Sequence, residues 1–200
     1  VRRSYALHVF VPRSTHDQET KKPEDEQYRT ALEQHGFTTV RLHAGANGLI
    51  AQYNQIFSHF AGQEQVLLLS DTVPSVVYRR TKSLVVEELP PRHFRAVAAL
   101  AFDLCKARSV RAWSLGANKH VLNMRPGYIS LKCGLLDGNC FGVNLSIRPT
   151  IHLKYSGYTA DVEFSLKAWA ADGGMIRFLG MSAMHAYRAA GGHDVPHMPG

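Results

Sequence analysis

Val66-Leu67-Leu68-Leu69-Ser70-Asp71-Thr72 is the stretch on which the fold reading turns. Four consecutive apolar residues leave neither face of a strand for water, which is the pattern of a central strand in a parallel sheet. Before it, residues 49–60 place Leu49, Ile50, Tyr53, Ile56, Phe57 and Phe60 at helical spacing, and Gly62 closes that helix. Gly45-Ala46-Asn47-Gly48 is a turn, and residues 37–42 (FTTVRL) read as another strand. An earlier helix follows Pro23. Glu24, Asp25 and Glu26 suit its positive amino end, Tyr28, Ala31 and Leu32 keep its period, and Gly36 ends it. Residues 5–11 (YALHVFV) form a first apolar strand stopped by Pro12, and residues 13–23 are a polar loop.

The order is β-α-β-α-β in some 70 residues. It predicts an α/β, Rossmann-type, mostly parallel sheet with helices on both faces. Ligands of such sheets bind at the carboxyl ends of the strands, so residues 12–15, 44–48 and 70–73 become the loops of interest. The second half reads as a helix over 90–106, a strand over 110–115 and an antiparallel insert over 120–148. Arg125-Pro126-Gly127 and Leu136-Asp137-Gly138-Asn139 are its turns. A short strand over 151–155, a helix over 160–172 and a strand over 176–179 follow, with a Gly/Pro/His-rich tail after residue 189.

Composition fits one ordinary globular domain of 200 residues, with 45% apolar and 20% charged residues. No run approaches the ~18 apolar residues of a membrane span. The amino-terminal stretch lacks a small-residue cleavage site, so no signal peptide is read there. Cys105, Cys133 and Cys140 are an odd number with no CxxC pair, which favours a reducing compartment over a disulfide framework or a zinc site. Twenty-three Lys and Arg against 16 Asp and Glu give a net charge of +7, compatible with a polyanionic partner or with a plainly basic solvated surface. Residues 79–111 hold Arg79, Arg80, Lys82, Arg92, Arg95, Lys106, Arg108 and Arg111, about twice the share that length predicts. This is the best candidate for a phosphate-backbone face.

Three places could carry chemistry. Asp71, directly after the apolar strand, could hold a divalent metal against a diphosphate, or simply cap a turn ahead of Pro74. Asp161 and Glu163 open a helix, where acidic residues are commonplace but where a carboxylate could also take a proton from an attacking hydroxyl. His185 is a lone histidine, more often structural than a ligand. His193 and His197 lie in the tail. Trp113, His120 and Tyr128 could stack on a base, with core or hairpin packing the plainer reading for Trp113.

The order of these features resembles a GT-A-fold nucleotide-sugar glycosyltransferase. Residues 159–169 (TADVEFSLKAW) look like the family's acidic loop-helix segment, and residues 184–188 (MHAYR) look like the segment with its metal-binding histidine. The compact size is similar to the TET/JBP-associated DNA-base glycosyltransferases of phages and kinetoplastids. The resemblance implies a single GT-A-like catalytic domain over 1–190, with a nucleotide-binding half (1–75), an acceptor and catalytic half (76–190) and a flexible tail (191–200). It implies transfer of a sugar from a nucleotide-sugar donor, UDP-linked, to a hydroxymethylated pyrimidine in DNA, in the cytoplasm and away from membranes.

By the same resemblance Asp161 is the catalytic base with Glu163 as its neighbour. Val11, Pro12, Arg13, Ser14, Gly45, Asn47 and Asn54 contact the nucleoside, and Arg188 pairs with the diphosphate. Asp71 stands at the DxD position. The sequence there is Asp71-Thr72-Val73, without the second carboxylate, so a divalent metal (Mn²⁺ or Mg²⁺) would rest on Asp71 and His185. Two alternatives stay open: a GT-A enzyme acting on glycan or protein, and a non-catalytic nucleotide or nucleic-acid binding module.

Overall fold

A computed structural model describes residues 6–12, 24–34, 40–63, 65–81, 84–117, 120–155 and 159–184. The chain falls into two compact units, Val1–Ala61 with His152–Ala160, and Gly62–Ile151 with Asp161–Gly200.

The first unit is built on β1 (His8–Pro12), α1 (Glu24–Gln34), β2 (Arg41–Gly45) and α2 (Leu49–His59). β1 and β2 pair in parallel, from His8 opposite Arg41 to Pro12 opposite Gly45, and make a two-stranded sheet by themselves. Arg41 N–H also donates to the Leu7 carbonyl at 3.0 Å. Gly48 turns the chain into α2 at φ 88°, a left-handed conformation that favours glycine. Two-stranded sheets are marginal alone, and α2 supplies the support. Gln52 Nε2 donates to the Phe10 carbonyl of β1 at 3.0 Å, and Gln55 Nε2 donates to the Ala44 carbonyl of β2 at 2.6 Å. Gly45 permits this approach, because a Cβ there would stand 2.5 Å from Gln52 Oε1 and 2.8 Å from the Val11 carbonyl oxygen.

The second unit carries two further sheets. β3 (Val66–Leu69), β8 (Leu136–Val143), β6 (Ala112–Gly116), β9 (Ile176–Phe178) and β7 (Ile129–Ser130) form a five-stranded sheet in that spatial order. Only the β6–β9 pair is parallel; β3–β8, β6–β8 and β7–β9 are antiparallel. β10 (Met181–Ala183), β4 (Val76–Tyr78) and β5 (Glu87–Glu88) form an antiparallel three-stranded sheet. The long α3 (Pro91–Arg108) buries Ala98, Ala101, Phe102 and Cys105 in a core shared with Trp113, Leu115, Cys140, Ile176 and Phe178. Trp113 is fully buried, edge-on to Phe102 (5.6 Å) and to Phe178 (6.3 Å). α4 (Ala160–Asp172) ends on Asp172, whose carboxylate takes the backbone N–H, Nε–H and Nη2–H of buried Arg111 at 2.7–2.8 Å.

This topology corrects the expected fold. The single, mostly parallel Rossmann-type sheet of a GT-A-like domain is replaced by three separate sheets, largely antiparallel or mixed. The opening β-α-β does form a parallel pair, but β3 leaves it and pairs antiparallel with β8, from Val66 opposite Val143 to Leu69 opposite Cys140. It is an edge strand, and Leu69 is 54% exposed. A wholly apolar run fixes neither a central place in the sheet nor the direction of its neighbour, and residues some 70 positions downstream decide both. Residues 136–139, read as a turn, are the start of β8, and residues 151–155 form no strand.

Gly142 of β8 is the tightest point of the larger core. A Cβ there would fall 2.0 Å from Trp113 Nε1 and 2.7 Å from Phe102 Cζ. Gly142→Ala is expected to cost at least about 1–3 kcal/mol by overpacking, seen as a lower urea midpoint at unchanged slope. A midpoint equal to that of the parent would show that the Trp113 contact is not the constraint described.

Candidate metal centre

The parallel register of β1 and β2 puts His8 and His43 on the same side of the small sheet. His8 Nδ1 stands 2.9 Å from His43 Nε2, and the rings stack at 5.0 Å between centroids with 4° between planes. The third member comes from α2. Gln52, Gln55 and His59 fall on one face of that helix, so the two amides that tie α2 to the strands also set where His59 arrives. Its ring lies 4.5 Å from that of His43 and 6.0 Å from that of His8. One ring nitrogen from each of His8, His43 and His59 lies within 4.8 Å of the other two. His8 and His43 are half-buried and His59 is exposed, which leaves the cluster open to solvent on one side.

Two phenylalanines flank the cluster. Phe10 stacks on His43 at 4.6 Å, and Phe60 meets the edge of His8 at 4.8 Å. Burial first, then the charges of neighbouring groups, holds His8 and His43 below the ordinary value of 6.5. Those groups are His43, Arg41 and His59 for His8, and His59 and Arg41 for His43. Both shifts favour the neutral rings, whose lone pairs a metal would need. Such a cluster can coordinate a divalent metal ion. A tetrahedral zinc holds imidazole nitrogens at about 2.0–2.1 Å, so two such nitrogens stand about 3.3 Å apart. The pair at 2.9 Å needs to open slightly, and the widest pair needs to close by no more than about 1.5 Å.

The sequence-predicted site residues fall elsewhere. Val11, Pro12 and Gly45 meet at the carboxyl end of the β1–β2 pair, where Gln52 occupies the space beside Gly45. Asn47 is exposed in the turn before α2. Asn54 is held by a two-way clamp: its Nδ2 donates to the Leu153 carbonyl and its Oδ1 accepts from Leu153 N–H, both at 2.8 Å. Arg13, Ser14, His185 and Arg188 lie outside the described residues, as do the tail histidines. Asp71 is exposed in the turn after β3, beside Ser70 and Thr72. Asp161 opens α4, where its Oδ1 accepts from Val162 N–H at 2.9 Å. Glu163 is buried and receives Lys167 Nζ at 2.5 Å.

Within the basic stretch, Arg79 donates to the Val121 and Met124 carbonyls, and Arg111 is buried on Asp172. Arg80, Arg92, Arg95, Lys106 and Arg108 are exposed. Trp113 is core, whereas His120 and Tyr128 are exposed. The three cysteines are free, and burial pushes the Cys105 and Cys140 thiols up to about 12. Among the described residues no helix is long and apolar enough to cross a membrane.

Comparison of the chain with protein-family models, with curated proteins and with solved structures finds no match. The three-sheet topology overturns the resemblance to GT-A and phage DNA-base glycosyltransferases. With it fall the expected UDP-sugar chemistry, DNA modification and glycosyltransferase activity, on glycan or protein acceptors as on DNA.

The proton balance of the cluster has a measurable sign. His8 and His43 bind protons less tightly folded than unfolded, so between the two values the unfolded chain carries more protons and stability rises with pH. Their contribution is complete above 6.5 and is lost as pH falls through the folded values. In metal-free protein the urea midpoint should drop on the acid side of 6.5, and the drop should shrink in the double variant His8→Gln, His43→Gln. An equal drop in parent and variant would remove these rings as its source.

Proposed function

We propose that this protein binds a divalent transition-metal ion of the zinc class through His8, His43 and His59. The observation that carries this reading is the convergence of three ring nitrogens, from two strands and a helix, within 4.8 Å. Neutral imidazole is a ligand of intermediate softness, suited to Zn²⁺, Co²⁺, Ni²⁺ and Cu²⁺. Mg²⁺ and Mn²⁺ prefer the oxygen donors expected of an Asp71-centred site. The apolar rings of Phe10 and Phe60 support it by lowering the local polarity around the donors.

Three protein ligands on a four-coordinate ion leave one position open, and the exposed side at His59 gives access to it. An ion held this way supplies Lewis acidity and acidifies a bound water. The chain's own part is to keep two imidazoles deprotonated and in register, and to bring the third on α2.

Isothermal titration of Zn²⁺ into the protein should show one site per chain. His43→Ala should weaken it by at least about tenfold, with the far-ultraviolet dichroism unchanged. His93→Ala, on the exposed face of α3, should leave it as it is. Absence of a single-site isotherm with both Zn²⁺ and Co²⁺, or an unaltered one in His43→Ala, would overturn the reading.

A further inference from the structure

The charge around the histidine cluster names the class of ligand that would complete it. This step rests on the metal reading above. Three neutral imidazoles leave the two positive charges of a divalent ion uncompensated. Among the described residues no carboxylate or thiolate joins the cluster. The rings of Phe10 and Phe60 offer no charge. Among the described residues, the other charged group acting on the cluster adds to the imbalance. Arg41 is the register partner of His8 on the adjacent strand and lies two residues from His43, so it shares that residue's face of β2. Its positive charge acts on both imidazoles. Arg41 is itself exposed, with its guanidinium free to meet a ligand arriving from solvent.

A fourth ligand that is neutral would leave this excess in place beside two apolar rings, whereas an anion relieves it. The planar fork of the guanidinium suits oxyanions, carboxylate and phosphate alike, and a carboxylate is the smaller of the two for one open position. We propose that the open coordination position takes a small carboxylate anion, bound through one oxygen to the metal and met by the guanidinium of Arg41. The site is then a receptor for small organic acids rather than a saturated structural zinc knot.

The test uses the whole chain loaded with Co²⁺, whose visible absorption reports coordination directly. Acetate is the probe. Saturable movement of the Co²⁺ bands by acetate is expected. Arg41→Gln should weaken acetate binding by about threefold or more without weakening Co²⁺ binding, because the variant removes a positive charge from beside a cation. Arg41→Lys should restore part of the loss.

Bands that acetate does not move would overturn the proposal while leaving the metal site standing. Acetate bound equally well by parent and Arg41→Gln would overturn the assignment to Arg41. Failure to acquire Co²⁺ bands at all would instead take down the metal reading on which the proposal depends.

Discussion

Two side-chain amides hold the small unit in the form that makes it interesting. Gln52 and Gln55 donate to main-chain carbonyls of β1 and β2, one strand each. A five-residue parallel pair has little cohesion of its own, and each of these bonds substitutes a helix for the missing third strand. They also fix the rotation of α2. One helical face presents Gln52, Gln55 and His59 in succession, so the residues that secure the helix and the residue that completes the cluster are phased together. Gly45 belongs to the same device, because any Cβ there would push Gln52 from its position. The approach of α2 to the strands and the convergence of the three imidazoles are one packing solution.

The larger unit reaches its structure by a different route, through burial of aromatic and polar groups that pair with one another. Trp113 is wedged between Phe102 and Phe178, with Gly142 supplying the space. Ser114 and Ser165 sit in the interior because each hydroxyl accepts a backbone N–H, from Asp137 and Leu136 respectively. Arg111 survives burial because Asp172 and the Pro149 carbonyl receive its donors. Loss of Arg111 or Asp172 alone would leave the other's charge buried without compensation. The region that looked richest in cationic charge is therefore divided. Arg79 and Arg111 are consumed by the fold, Lys82 lies outside the described residues, and the others are exposed, chiefly on α3. Local charge density in a sequence does not separate a binding face from an internal ion pair, because both need the same residue types.

Local signals were legible and long-range ones were not. The helices over 49–60 and 160–172 were visible in their periodicity and stop residues, and they appear as Leu49–His59 and Ala160–Asp172. The partner of Val66–Leu69 was invisible, since the run carries no alternation from which direction could be read. Leu136-Asp137-Gly138-Asn139 has turn composition, yet it is a strand: Asp137 accepts from Asn139, and Gly138 leaves room for Asp161, whose Cβ would stand 3.2 Å from a Cβ at 138. The histidine cluster was the largest omission. His8 sat inside an apolar strand and His43 at the edge of another, where a lone histidine reads as filler. Only the register of two strands separated by 35 residues puts them together. The one available signal was that two consecutive strand runs, HVFVP and RLHAG, each contain a histidine, with a third at the end of the helix that follows.

That cluster also explains why a soft scaffold suits an ion. His8 Nδ1 and His43 Nε2 face each other at hydrogen-bond distance, 2.9 Å. A metal held by both nitrogens would need both lone pairs, so a proton lying between them would move to the other nitrogen of its ring. His59, at the end of α2, would complete the set. Such adjustments would fall on α2 and a two-stranded sheet, not on a close-packed core. They deform side-chain amide bonds and aromatic contacts, which yield readily, in place of the interdigitated packing that resists small shifts in the larger unit.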